Sequence, residues 1–439
     1  MTIPMDAGAA ELLHALHAAG HAAYVVGGCV RDSLLGLTPH DWDLCTSALP
    51  QQVMELFGAQ RCIPTGLQHG TVTVKQSGAL YEITTFRTEG TYTDGRHPDE
   101  VHFVPDVRED LARRDLTINA MAYNEKEGLV DPFGGQADLQ SGIVRAVGVP
   151  RQRFTEDALR ILRLYRFAAR FGFAIDPPTA QAAQELCAHL DCVSVERIEE
   201  ELAKLLSAPA PAAYLDKKIL FVILPELSPE ALAAAKPVVD ACPAGAENLP
   251  IRLAALLLSL GEDGIRRTLK RLRCSNALIE EAAVLVREAR GCDGSFLFGH
   301  DSGHSIASPS AFGNRVPPQR TVLRETTVTP GFTIYARRLL GKYNLCTVQR
   351  LAALGTALQP ERAADFAALS ELAEQLDADG VCCRVSQLAV NGRDLMAAGV
   401  PAGPGIRKVL EALLDGVIRE EYPNERQALL AAVQQLAAS

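Results

Sequence analysis

The sequence predicts an α+β protein: an N-terminal head built from a mixed sheet with helices, followed by an all-α remainder. Three observations carry that prediction. Tyr24-Val25-Val26 is a short apolar run, broken by Gly27-Gly28 and followed by helical spacing from Val30 to Leu35, so a buried strand turns into a helix. His69 to Lys75 (HGTVTVK) alternates β-branched and polar residues, and Leu80 to Phe86 (LYEITTF) forms its hairpin partner across Ser77-Gly78. From about residue 208 onward the chain is rich in alanine and leucine, with no strand signal and no clean repeat.

Composition sets the limits. The chain has 439 residues, 48% of them hydrophobic, enough for two to four domains with cores of their own. Its net charge of −10 argues against a nonspecific nucleic-acid coat but leaves room for a local basic groove. No apolar run reaches the length of a membrane span, and the N-terminus lacks the basic start of a signal peptide, so the expected location is cytoplasmic. The 11 cysteines follow no metal or disulfide spacing and read as reduced thiols.

The elements follow in order. Glu11 to Ala19 reads as a leading helix, and Pro50 to Phe57 as another, capped from Ser47. Arg87 to Val101 has glycine, aspartate and proline without periodicity, and reads as a loop. Arg113-Arg114-Asp115 opens an expected helix holding Leu116, Ile118, Ala120 and Met121. Asp131 to Gly135, followed by Asp138-Leu139, is a turn and a helix entry. Thr155 to Phe173 reads as one strongly amphipathic helix with Leu159, Ile161, Leu162, Leu164, Phe167 and Ala168 on its apolar side. Val195 to Leu206, with Ser194 as its cap, is a further helix. Residues 291–331 are rich in glycine, serine, proline and threonine and read as an irregular or disordered insertion, after which helical pattern resumes at Tyr335.

Two stretches carry chemistry. Gly27 and Gly28 let a backbone approach a phosphate, the free N–H groups of the helix start point at it, and Arg31 adds a positive charge. Shortly after come Asp41 and Asp43. In a strand, residues two apart face one side, with Cα atoms roughly 7 Å apart. Two carboxylates about 4 Å apart repel by roughly 4 kcal/mol at an effective dielectric of 20, so they call for a cation, and hard oxygens beside a phosphate cradle suggest Mg²⁺. Glu82 is either a third metal carboxylate or an ordinary exposed strand residue.

In the second stretch, Asp157, Arg160, Arg163 and Arg166 recur every three residues as a slowly turning polar stripe. It is either a salt-bridged face or a base reader. A carboxylate accepts from an exocyclic amine and a guanidinium donates to a ring nitrogen or carbonyl, so an Asp and Arg three apart would take adenine and cytosine and reject guanine and uracil.

These residues also carry a resemblance. GG-x-V-RD-x-L-L-G followed by D-x-D (from Gly27 to Asp43), RRD-L-T-x-NA from Arg113, the DPFGG turn, ED-x-x-R from Glu156 and the helix from Val195 resemble, in order, the motifs of bacterial class II tRNA nucleotidyltransferases and poly(A) polymerases. The resemblance implies template-independent addition of CCA to the 3′ end of tRNA from CTP and ATP. A poly(A) polymerase, an enzyme adding only CC or only A, and a catalytically silent RNA-binding protein are the alternatives. It further implies Mg²⁺ on Asp41 and Asp43, triphosphate at Gly28 and Arg31, and nucleotide contacts from Arg114, Asp157, Arg160, Arg163 and Arg166. Its partners would be tRNA, CTP and ATP, with a homodimer admitted and no membrane.

The expected layout is a catalytic head over 1–142, a helical base-reading neck over 143–207, a helical body over 208–290, the insertion over 291–334 and a tRNA-binding tail over 335–439. The body resembles a degenerate HD-type domain: Leu258-Ser259 stands where a His-Asp pair would hold metal. In the tail, Val390 to Leu395 and Pro404 to Val409 either resemble the family's helix pair near tRNA or form a plain helical hairpin. The loop 87–101 is similar to the flexible loop of CCA-adding relatives, so deleting Thr88 to Pro98 is expected to stop the product at CC.

Overall fold

The computed structural model describes residues 2–90, 101–290 and 330–438. The expected loop tip at 91–100 and most of the insertion lie outside the described residues. The α+β class is as expected: the strands fall in the first part of the chain and, among the described residues, only helices follow Ile175.

The main sheet has seven strands: β1 (Ala23–Val26), β2 (Leu44–Thr46), β3 (Cys62–Gly66), β4 (Thr71–Gln76), β5 (Ala79–Thr85), and, past a short pair β6 (Arg87–Glu89) and β7 (Val101–Phe103), β8 (Ala122–Asn124) and β9 (Gly128–Val130). Their order is β3-β4-β5-β2-β1-β8-β9. All neighbours are antiparallel except β2 and β5, which run parallel with Leu44 opposite Ile83. β1 sits inside the sheet and all four of its residues are buried, which is why it reads as an unbroken apolar run. Tyr24, Val26, Cys45, Phe86, Leu111 and Ala122 share one core behind it.

The sequence reading missed β3, the edge strand. Pro64 breaks its pattern, yet at an edge the missing N–H costs no ladder bond. Asp41 and Asp43 also differ from expectation: they lie just ahead of β2, which begins at Leu44. The ladder still reaches Asp43, whose carbonyl accepts from the Val26 N–H at 2.9 Å. The loop 87–101 has an ordered root, since β6 and β7 pair antiparallel from Arg87–Phe103 to Glu89–Val101.

Nine helices accompany the strands up to residue 206 among the described residues: α1 (Ala7–Ala18), α2 (Gly28–Leu34), α3 (Pro50–Phe57), α4 (Val107–Ala112), α5 (Gly135–Ser141), α6 (Pro150–Glu156), α7 (Leu159–Phe171), α8 (Pro177–Leu186) and α9 (Val195–Leu206). Ser47 does not cap α3. Leu49 occupies that position, its N–H bonded to the Gln52 side chain, while the Ser47 hydroxyl accepts from the Ala22 N–H beside β1.

Two larger differences concern the chemical stretches. Arg113 to Met121 is not a helix start: α4 ends before it, and only Thr117–Asn119 makes a 3-10 turn. Leu116, Ile118, Ala120 and Met121 are all fully buried, so their apolar character reflects enclosure on every side rather than a helical face. Asp115 accepts from the Leu116 N–H at 2.8 Å, the local bond by which aspartate competes with a helix. The expected helix 155–173 is likewise two helices. Asp157 adopts an extended backbone, φ −146° and ψ 106°, and its carboxylate accepts from the Leu159 N–H at 3.0 Å. Aspartate favours this capping role over a helix interior, so the chain breaks there.

The described chain divides into two units. The first comprises Met1–Lys236, Ala244–Leu249 and Thr268–Cys274, and so holds the whole sheet together with α1 to α9. The second comprises Pro237–Pro243, Pro250–Arg267 and Ser275–Ser439 and is helical throughout its described part. Inside it, Leu395, Leu413, Val417, Leu429 and Val433 form a core beneath the helices Gly392–Ala397, Gly405–Ile418 and Arg426–Ala438.

Candidate active site

The site lies where β1 gives way to α2. Gly27 has φ +78° and ψ −120°, a conformation closed to side chains, and a Cβ there would stand 2.9 Å from Arg114 Nη1. Glycine is therefore required by the turn, and the guanidinium rests on it. The Gly27 N–H donates to the Met121 carbonyl at 3.0 Å, which brings the Arg113–Asn119 segment against the turn. Arg114 reaches Asp110 at 3.5 Å, and its Nε is buried without a hydrogen-bond partner.

Extending the β2–β5 register one residue beyond Leu44–Ile83 sets Asp43 beside Glu82, and Asp41 precedes Asp43 by two. Asp43 keeps an exposed face, yet surrounding protein and the charges of Glu82 and Asp41 push its carboxyl above the usual range, against the pull of Arg114. Such a repelling set is relieved by a divalent cation and offers the hard oxygens it prefers. Among the described residues no three His, Cys, Asp or Glu side chains close into a metal cage. Two aspartates with remaining positions for water and phosphate oxygens suit a hard divalent cation.

Arg31 is not on the surface of this site. Only 4% exposed, it donates to Asp32 at 2.8 Å and to Asn119, and lies over the Phe167 and Phe171 rings at 4.9 and 5.1 Å. The side chain ties α2 to Asn119 and α7.

The stripe is placed residue by residue. Asp157 takes Arg197 from α9 in two bonds, at 2.7 and 3.4 Å. Arg160 is buried and donates to Glu156 at 2.7 Å. Arg163 donates to Asp115 at 2.7 Å, and Arg166 lies 2.6 Å from Glu201. Burial opposes ionisation of Asp115, but Arg163 and Asn119 outweigh it and hold the carboxyl well below the usual range. Both readings of the stripe thus have a footing: the arginines are ion-paired, Arg163 and Arg166 with the buried Asp115 and Glu201, and Arg160 with the part-buried Glu156.

The sequence reading gave no role to these partners, Asp110, Asn119, Glu156, Arg197 and Glu201, although all but Asp110 lie within the motifs it quotes. The visible signal was Arg197 and Glu201 four apart on one face of an otherwise ordinary helix.

Comparison with known proteins places this geometry. Family models match over residues 23–145 (Poly A polymerase head domain), 172–231 (RNA and SrmB-binding site of polymerase A) and 332–433 (tRNA nucleotidyltransferase domain 2). The CCA-adding enzyme of Lactiplantibacillus plantarum is 34% identical over 98% of this chain and 96% of its own. The chain belongs to the family of CCA-adding enzymes. It is a nucleotidyltransferase. The CCA-adding enzyme of Geobacillus kaustophilus is also 34% identical, over 94% of this chain and 92% of its own. The crystal structure of the Bacillus stearothermophilus CCA-adding enzyme in complex with CTP superposes with a TM-score of 0.76 at 30% identity, covering 99% of this chain and 98% of that one. The Thermotoga maritima CCA-adding enzyme complexed with tRNA shares the fold, with a TM-score of 0.66 at 20% identity, covering 98% and 94%. Among the described residues no helix is long and apolar enough to cross a membrane.

Proposed function

We propose that this chain adds CCA to the 3′ end of tRNA, without a template, from CTP and ATP. The observation that carries the reading is the convergence of Asp41, Asp43, the Gly27 turn and Arg114 at one sheet end, in a chain related over its length to CCA-adding enzymes. Asp41 and Asp43 would hold Mg²⁺, which when bound lowers the pKa of the tRNA 3′-hydroxyl and stabilises charge on the α-phosphate. Gly28 and the turn present backbone N–H groups to the triphosphate, and Arg114 presents its guanidinium to the nucleotide. Arg31 supports the same turn from within through Asn119. Pyrophosphate is the leaving group. Residues 1–142 supply catalysis and 143–207 base selection, and 208–290 with 335–439 supply a tRNA platform.

Asp157 and Arg160 read the base edge. Asp157, fixed by Arg197, keeps lone pairs for an exocyclic amine, and Arg160, fixed by Glu156, keeps donors for a ring acceptor. Replacing Asp157 by alanine is expected to weaken rejection of UTP and GTP by about 1–3 kcal/mol, the usual worth of a bidentate base contact. Single-nucleotide incorporation with each NTP measures this. Unchanged preference would make the stripe an ion-paired scaffold only.

A further inference from the structure

Phe167 lies in α7 between the arginines of the stripe and is 4% exposed. Three guanidinium groups surround its ring, with Cζ of Arg166, Arg31 and Arg163 at 4.0, 4.9 and 5.5 Å from the centroid. All three distances lie within the range in which the negative face of an aromatic ring attracts a cation. We infer that Phe167 is a positioning residue for nucleotide binding, its ring electrostatics holding Arg163 and Arg166 at the base-reading site. The inference rests on the nucleotide contacts that the family resemblance implies for those two arginines.

Packing alone would not need an aromatic ring here. The arginines repel one another, and burial together with neighbouring arginines disfavours the charge on Arg31 and Arg166. The carboxylates meet part of that cost: Asp115 for Arg163, Glu201 for Arg166 and Asp32 for Arg31. Arg166 pairs with Glu201 through Nε and Oε2 at 2.6 Å, without hydrogen-bond alignment. It is also the guanidinium nearest the ring. Phe171 continues the arrangement, nearly parallel to Phe167 at 6.2 Å and 8°, with Arg170 over it at 5.0 Å. A leucine at 167 would fill much of the volume and remove the quadrupole that faces the cations.

The test separates electrostatics from shape. Phe167 is replaced by 4-fluoro-, 3,5-difluoro- and 3,4,5-trifluorophenylalanine in the full chain, which weakens the ring's negative face stepwise at nearly constant size. The expected result is a KM for CTP and ATP that rises with each fluorine, reaching about fivefold or more, with kcat within about twofold and Tm unchanged. A flat KM at unchanged Tm would overturn the inference, and so would a KM that moves only in step with Tm. Arg166→Ala serves as the companion variant. If it leaves the KM for CTP unchanged, the nucleotide reading itself fails; if it raises KM while the fluorinated series stays flat, only the role of Phe167 fails.

Discussion

Replacing Asp43 by alanine is expected to lower nucleotide transfer by about three orders of magnitude or more, because the charge stabilisation supplied through a held cation is worth several kcal/mol and each 1.4 kcal/mol is tenfold. Binding of tRNA should stay near normal, since Asp43 contributes a site side chain and not a core contact. The structure adds a second readout. Crowding and the carboxylates of Glu82 and Asp41 raise the Asp43 pKa in the folded chain, so ionisation of Asp43 opposes folding. The penalty is absent below the unfolded carboxyl pKa, near 4, and grows as pH rises through the elevated folded value. Asp43→Asn should therefore unfold at a higher temperature than the parent at neutral pH in the absence of divalent ions, with the gain vanishing below about pH 4. Added Mg²⁺ should raise the parent's Tm and leave that of Asp43→Asn nearly unmoved. Near-normal turnover in the alanine variant would remove the metal role of Asp43, and Asp41→Ala provides the parallel check.

The second large effect is at Asp115. Its carboxylate joins three parts of the site, accepting from Arg163 at 2.7 Å, from Asn119 at 3.2 Å and from the Leu116 N–H at 2.8 Å. Removing one member of a buried ion pair leaves the other charge uncompensated, at a cost of 3–5 kcal/mol where both are enclosed. Arg163 is 34% exposed and also faces Glu201 at 3.8 Å, so Asp115→Asn should cost about 3 kcal/mol, the lower end of that range. The pH dependence runs opposite to that of Asp43. The folded pKa of Asp115 is depressed, so its stabilisation is present above the unfolded value near 4 and is lost as pH falls toward the folded one. The stability gap between parent and variant should be full above about pH 5 and close in acid. Chemical denaturation across pH checks this, and a gap that does not change with pH would assign the loss to packing.

Much of this was legible in the sequence because the relevant signals are local. Two glycines after an apolar run can be read without knowing what packs on them, as can two aspartates with a single residue between them. The alternation of HGTVTVK likewise announces a strand whatever its neighbours. What could not be read depends on distant contacts. Arg31 sits at a helix start, and the Asn119, Phe167 and Phe171 that pack around it come from segments far along the chain. The helix assigned to 155–173 breaks because Asp157 finds Arg197 and the Leu159 N–H, and periodicity carries no trace of either. The segment after Arg113 misled for the opposite reason: its apolar residues are enclosed on all sides, and full enclosure imitates a helical face when only spacing is read.

The central claim is ordered, template-independent addition, and one assay tests it most directly. Purified protein is incubated with Mg²⁺ and a tRNA lacking its 3′ end, first with each NTP alone and then with CTP and ATP together. The account predicts two C residues from CTP alone, a terminal A only after both, and negligible incorporation from GTP or UTP. Long A-tails from ATP alone, or no incorporation at all, would contradict it.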